Sequence, residues 1–145
     1  MVASIPTRAR RSTGELQTTG SRPNNVLLVE DDDLVRHALK RLLVSDGRGC
    51  FAAASAENAQ QMLVAHEPAL VITDLNLGGR LNGIDLLLWM RRSPRLRDVP
   101  VVLMTSDDLA ETRRRLDDAG LADVSILSKP FERGALANVL AHAGG

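Results

Sequence analysis

Five short aliphatic runs constrain this chain more than anything else in it: VLLVE (26–30), CFAAAS (50–55), ALVIT (69–73), VVLMT (101–105) and VSILS (124–128). Runs apolar at nearly every position suit strands covered on both faces, as in a parallel sheet. Between them lie longer stretches with helical spacing. Parallel neighbours require crossovers, and helices supply them while covering the two sheet faces. CFAAAS is rich enough in alanine for helix propensity to compete, but its place between two helical stretches favours strand. The expected fold is α/β, an open sandwich of five strands alternating with five helices.

The helical stretches carry their own punctuation. In DDLVRHALKRLLVSDG, the rows Leu34, Ala38, Leu42 and Val35, Leu39, Leu43 recur at spacings of four, predicting one apolar face. Gly47 and Gly49 bracket its end. The second helix, AENAQQMLVAHE, begins at Ser55 or Glu57 and stops before Pro68. Asn82 is placed to cap GIDLLLWMRRS, with Asp85 in the first turn and Arg91 and Arg92 in the last, the order the helix dipole favours. Trp89, late in that helix, is expected to pack on the flank of the sheet. DDLAETRRRLDDAG is closed by Gly120, and FERGALANVLAHAGG forms the last helix.

At 145 residues the chain is expected to be one domain, residues 25–143, behind a flexible polar tail, residues 1–24. Its core must be aliphatic, with only two Phe, one Trp and no Tyr. A formal net charge of zero argues against a strongly attractive surface for nucleic acid or acidic lipid. Arg8, Arg10, Arg11 and Arg22 stand against Glu15 alone in the first 25 residues, a surplus of three that leaves −3 for the rest. The basic clusters RRSPRLR and RRRLDD read as solvated helix surface, so no DNA binding is expected. A single cysteine, Cys50, excludes an internal disulfide or a Cys-rich zinc site. His37, His66 and His142 are scattered and form no metal set. No run approaches the roughly 20 apolar residues of a membrane span, and the start lacks a secretory segment. A cytoplasmic protein without membrane contact is the expectation.

In open α/β sheets, ligand chemistry belongs at the carboxyl ends of the strands. There this chain has Glu30-Asp31 after the first strand, Asp74 after the third, Thr105-Ser106 after the fourth and Lys129 after the fifth. If the first and third strands are neighbours, three carboxylates converge and raise one another's pKa values. A hard divalent cation such as Mg²⁺ resolves that conflict, and Lys129 is available to face a negatively charged substrate. The set fits phosphoryl transfer onto a carboxylate. Against it stands the plainer alternative that these acids cap helices and Lys129 is a solvent lysine. Capping is the reading for Asp32 and Asp33; Asp74 fits it less well, because its next helix starts several residues later.

Together VLLVEDD, ALVITDLNL, VVLMTS and ILSKPF resemble the receiver domains of two-component response regulators, over roughly residues 24–143. The resemblance implies a flavodoxin-like (βα)5 fold with strand order 2-1-3-4-5. It implies Asp74 as phosphoacceptor and Glu30 and Asp31 as the acidic pair that holds Mg²⁺ with it, the backbone carbonyl of Asn76 completing the metal shell. Thr105 matches the hydroxyl that moves toward the phosphoryl group, Lys129 the lysine that contacts it, and Pro130 the proline that follows, often through a cis bond. Asn76 and Asp107 match the positions that flank the attacking water, and a polar Asp107 implies a phosphoryl lifetime of minutes or less. The implied partners are a histidine kinase or histidine phosphotransfer protein and, with no output domain expected after the last helix, a separate effector protein. Weak self-catalysed hydrolysis, rather than turnover of a substrate, is the implied activity.

Two departures from the family pattern bear on this. Where an aromatic or histidine usually lies three residues before the lysine, this chain has Ile126, which has no ring to swing inward. Where a proline usually lies four residues past the acceptor, it has Gly78, followed by Gly79, Arg80 and one extra residue before Asn82-Gly83. Longer glycine-bearing loops of this kind occur in receivers associated with hybrid histidine kinases. These departures keep a rival open, a receiver-like interaction module that signals by binding without phosphate. A flavodoxin-like cofactor binder is a poor fit, because acids stand after the first strand where a phosphate-cradling loop is needed.

Overall fold

The computed structural model describes residues 25–143, so the expected tail at 1–24 lies outside the described residues. Each aliphatic run forms a strand and each intervening stretch a helix. In chain order these are β1 Val26–Val29, α1 Asp33–Ser45, β2 Cys50–Ala53, α2 Ala56–Ala65, β3 Leu70–Asp74, α3 Gly83–Arg91, β4 Val101–Thr105, α4 Leu109–Asp118, β5 Ser125–Ser128 and α5 Arg133–Ala143. The sheet is parallel throughout and ordered β2-β1-β3-β4-β5. It is the flavodoxin-like (βα)5 fold.

Strand alternation divides the core in two. Leu27, Val29, Val71 and Leu103 point to one face, where they meet Leu63 of α2, Leu87 and Met90 of α3 and Leu116 of α4. Val26, Leu28, Ile72, Met104 and Leu127 point to the other, against Leu39 and Leu43 of α1 and Leu136 and Leu140 of α5. Each fully buried leucine stabilises the fold by about 2 kcal/mol, so both layers are needed to hold the strands in register. Trp89 is half-buried against the first face, as expected of a flank residue.

The helix ends follow their sequence signals. Asn82 and Asp85 form a reciprocal capping box on α3. Gly47 and Gly120, at positive φ, follow the C-caps of α1 and α4, where a side chain would be strained. One expectation fails. The row Leu34, Ala38, Leu42 is not part of a single buried face: Leu34 is 82% exposed and Ala38 is exposed, while Leu39 and Leu43 are buried. The two rows lie about 100° apart around a helix of 3.6 residues per turn; Leu39 and Leu43 are covered, Leu42 packs half-buried beside them, and Leu34 and Ala38 stay in solvent.

The basic clusters depart from their reading as solvated surface only in part: Arg92, Arg97 and Arg114 are exposed. Arg91 Nη1 donates to the carbonyls of Arg97 (2.8 Å) and Val99 (3.3 Å), and its Nη2 pairs with Asp123. Arg113 donates to the carbonyls of Ala122 (3.0 Å) and Val124 (2.6 Å), and Arg95 to that of Leu63. A guanidinium can satisfy several free carbonyls from one planar group. Here these groups tie α2, α3 and α4 to the loops around them.

Candidate functional site

The site forms where β1, β3, β4 and β5 end side by side. β1 stops at Val29, but the Glu30 N–H still donates to the Ala53 carbonyl at 3.0 Å, which fixes the backbone on which the first acid sits. Asp74 is the last residue of β3, paired with Met104 of β4, so the sheet itself aims its side chain. Past β5, the Lys129 N–H donates to the Thr105 carbonyl at 2.7 Å. The Lys129–Pro130 peptide bond is cis.

Four of the expected residues meet. Glu30, Asp31 and Asp74 each offer a carboxylate oxygen, and these oxygens lie within 4.8 Å of one another. Lys129 Nζ donates to Glu30 Oε1 at 2.9 Å and to Asp74 Oδ2 at 2.8 Å. Glu30 is 1% exposed and Asp74 7%, whereas Asp31 faces solvent. Burial pushes the Glu30 carboxyl above its ordinary range, and the nearby Asp74 charge adds to the rise. The hydrogen bonds from Lys129 and the Asp32 N–H pull it back only in part. Burial alone would lower the Lys129 ammonium, but its bonds to Asp74 and Glu30 and their charges outweigh that and hold it above its ordinary range.

Three carboxylates against one ammonium leave a formal −2 on the cluster when all are ionised. A divalent cation matches that charge, and all-oxygen ligands at this spacing suit a hard ion such as Mg²⁺. One lysine is shared between two buried acids, Glu30 and Asp74. The cluster is therefore able to coordinate a divalent metal, and it is a receiver-type phosphoacceptor site.

Around the cluster, Asn76 Nδ2 lies 3.3 Å from both carboxylate oxygens of Asp107, and the Asn76 N–H donates to Asp74 Oδ1 at 3.3 Å. Thr105 is fully buried, and its hydroxyl oxygen accepts the Asp107 N–H at 2.9 Å. Ile126 does not join the cluster. It lies within β5, paired with Leu103, half-buried on the face covered by α2, α3 and α4. Arg80 is exposed in the loop between β3 and α3. Asp32 and Asp33 leave the site as expected: Asp32 caps α1 by accepting the Val35 N–H, and Asp33 pairs with Arg36.

Three supporting groups were not anticipated. Arg36, on the first turns of α1, donates from Nη1 to the Glu30 carbonyl at 3.0 Å. The Gly78 N–H donates to Asp31 Oδ2 at 3.1 Å. At Gly83 a Cβ would lie 2.4 Å from the Asp74 carbonyl oxygen. Arg36 carried the one local signal, an arginine in the first turn of the helix that directly follows the acids. The other two are backbone positions whose neighbours are set by the tertiary fold.

Residues 26–141 match the family described as "Response regulator receiver domain". Among curated relatives, the response regulator protein FleR of Pseudomonas aeruginosa is 41% identical over 122 residues, which are 83% of this chain and 24% of FleR. The two-component response regulator ORR13 of Oryza sativa subsp. japonica is 30% identical over 103 residues, 68% of this chain and 82% of the relative. The chain thus spans about a quarter of one relative and most of the other. Among solved structures, the signal receiver domain of a signal transduction histidine kinase from Syntrophus aciditrophicus is 28% identical, with a TM-score of 0.73 over 83% of this chain and 89% of that one. The chemotaxis response regulator CheY4 of Vibrio cholerae, 21% identical over 86% of this chain and 99% of its own, shares the fold with a TM-score of 0.75. Sheet order, the acids at its carboxyl edge and the similarity across both agree, and the chain belongs to the response regulator receiver domain family.

Proposed function

We propose that this domain is a phosphorylation-dependent switch in which Asp74 accepts a phosphoryl group from a phosphohistidine on a histidine kinase or a histidine phosphotransfer protein. A carboxylate oxygen of Asp74 attacks phosphorus in line; the new O–P bond forms as the P–N bond to the donor imidazole breaks. Lys129, already 2.8 Å from Asp74, then holds a phosphoryl oxygen in place of the carboxylate charge it now neutralises. Glu30, Asp31, Asp74 and the backbone carbonyl of Asn76 would hold Mg²⁺, which when bound offsets the charge on the phosphoryl oxygens.

The switch begins at Thr105. Its hydroxyl oxygen now accepts from the Asp107 N–H. Moving toward the phosphoryl group would release that amide and let the turn before α4 shift. Ile126 has no ring to follow the hydroxyl, so the change passes through the packing of its aliphatic side chain against the α2–α4 face. The switch resets when water attacks phosphorus, releasing inorganic phosphate and restoring the Asp74 carboxylate. Asn76 and Asp107, within hydrogen-bonding distance of one another, flank the path of that water. Pro130 shapes the turn that presents Lys129.

A protein is the proposed downstream partner, and DNA is not. Arg91, Arg95 and Arg113, three of the seven arginines in the two basic clusters, are engaged with carbonyls of the domain itself, which reduces what the clusters can offer to a nucleic-acid footprint. Among the described residues, no helix is long and apolar enough to cross a membrane.

Most of the weight rests on three carboxylate oxygens within 4.8 Å of one another and a lysine bonded to two of those groups. Incubation with acetyl phosphate, with and without Mg²⁺, followed by intact-mass measurement tests the reading. A Mg²⁺-dependent gain of about 80 Da, one phosphoryl group, absent from Asp74→Asn, is the expected result. No gain under rapid quench, together with no Mg²⁺ binding, would replace the switch with the phosphate-independent interaction module.

A further inference from the structure

Asp31 is the one member of the acidic cluster that faces solvent. An exposed carboxylate next to two others would swing outward, away from their charge, unless something held it. What holds it comes from far along the chain: the Gly78 N–H donates to Asp31 Oδ2 at 3.1 Å, across 47 residues of sequence. The space around Gly78 repeats the relation. A Cβ built there would meet one atom within 4 Å, the same Asp31 Oδ2, at 3.1 Å. The loop between β3 and α3 therefore carries a residue that brings a free amide up to this oxygen and leaves no side chain in its way.

We propose that the Gly78 amide is a positioning group for metal capture, holding Asp31 toward the cluster so that the third carboxylate is in place before the cation arrives. This rests on the reading of the acidic cluster as a Mg²⁺ site and adds to it a residue of the loop. Two consequences follow from the geometry. The amide spares the cation the cost of ordering a loose, exposed side chain, in the way outer-shell hydrogen bonds orient metal ligands. The same bond ties the loop at Gly78 to Asp31, so metal binding is felt in the backbone that leads from Asp74 to the Asn82 cap. Proline at this position would lack the donor; alanine would keep it but set a methyl carbon 3.1 Å from Asp31 Oδ2, tight enough that the flexible carboxylate must give slightly.

The test is a Mg²⁺ titration followed by two-dimensional amide NMR on the unaltered protein, Gly78→Ala, Gly78→Pro and Asp31→Asn. Loss of an outer-shell partner typically weakens metal affinity by roughly 10-fold or more, and by less at an exposed ligand; about 3- to 10-fold weaker binding is expected for Gly78→Pro, with Gly78→Ala within about 2-fold of the parent. Before any metal is added, the Gly78 amide resonance should already move upfield in Asp31→Asn, because a neutral amide oxygen is a weaker acceptor than a carboxylate. That measurement needs no proline variant and holds if Gly78→Pro fails to fold. An unmoved Gly78 amide in Asp31→Asn overturns the proposal. So does parental affinity in a folded Gly78→Pro, or equal losses in Ala and Pro, which would assign the effect to crowding. Each of these three results leaves Mg²⁺ binding by the parent intact, and with it the proposed function. Failure of the parent to bind Mg²⁺ would instead remove both.

Discussion

Replacing Gly83 by alanine tests how closely α3 is fitted to the end of β3, directly beneath Asp74. Two effects oppose each other. Alanine is the better helix former, by up to about 1 kcal/mol in a helix interior and less at the first position. The added Cβ, however, would stand 2.4 Å from the Asp74 carbonyl oxygen, 2.9 Å from Leu103 Cδ1 and 3.1 Å from Leu75 Cα. Two of these three are backbone atoms of the strand end and cannot rotate away, so the helix must lift. Overpacking of this kind costs about 1–3 kcal/mol. Lifting the helix also weakens the 2.8 Å bond from the Gly83 N–H to the Leu75 carbonyl, a further loss of about 1 kcal/mol. The clash wins, with a net destabilisation of about 2–3 kcal/mol. Trp89, the only tryptophan, sits in the same helix and reports urea unfolding without an added label. Because the displaced atom is the backbone of Asp74 itself, Mg²⁺ affinity should fall along with stability. A variant as stable as the parent, or more so, would refute the argument by showing that helix propensity outweighs the contact.

Lys129→Met leaves Glu30, 1% exposed, without its ammonium partner. Removing one member of a buried pair costs about 3–5 kcal/mol, the loss expected at neutral pH without metal; saturating Mg²⁺ should recover much of it, and an equal loss with and without Mg²⁺ in urea unfolding would count against the shared charge. Glu30 titrates above its ordinary 4.5 in the fold, so the folded state binds the extra proton and metal-free stability falls as pH rises from that value through the raised one. Metal binding needs the ionised form, so Mg²⁺ affinity should drop as pH falls through the same window, up to about tenfold per pH unit below it; calorimetry should find this acid limb flattened in Glu30→Gln. Lys129, raised above 10.5, contributes stability that is present below that pH and lost as pH climbs through its folded value, which alkaline unfolding of the metal-free protein would detect. The phosphoryl group on Asp74 should last minutes or less with Mg²⁺ present, read by decay of the phosphorylated mass; a lifetime of many hours would contradict the placement of polar Asn76 and Asp107 beside it.

Charge at a strand end is legible in sequence because an aliphatic run that stops at an acid leaves few alternatives. Glu30, Asp74 and Lys129 could therefore be picked out before their distances were known. Their mutual pairing was not legible from the residues alone and came only with the strand order the resemblance implies, because it depends on β1 and β3 lying side by side and on β5 lying two strands from β3. The same holds for Gly78 and Gly83, whose reasons are an oxygen 47 residues away and a strand end packed under a helix. The exposure of Leu34 was obscured for a different reason: a spacing of four is shared by two rows of a helix, and only the neighbouring sheet decides which row is covered. Four consecutive acids, Glu30 to Asp33, show how far local reading reaches. As a sequence they are four like charges with nothing nearby to neutralise them. In the fold each has its own partner: Glu30 has Lys129, Asp31 the Gly78 amide, Asp32 the first turn of α1, and Asp33 the guanidinium of Arg36. Two of those partners are local and two are distant. The local pair starts the helix, and the distant pair builds the site, so the division between structural and chemical acids in this run is the division between near and far contacts.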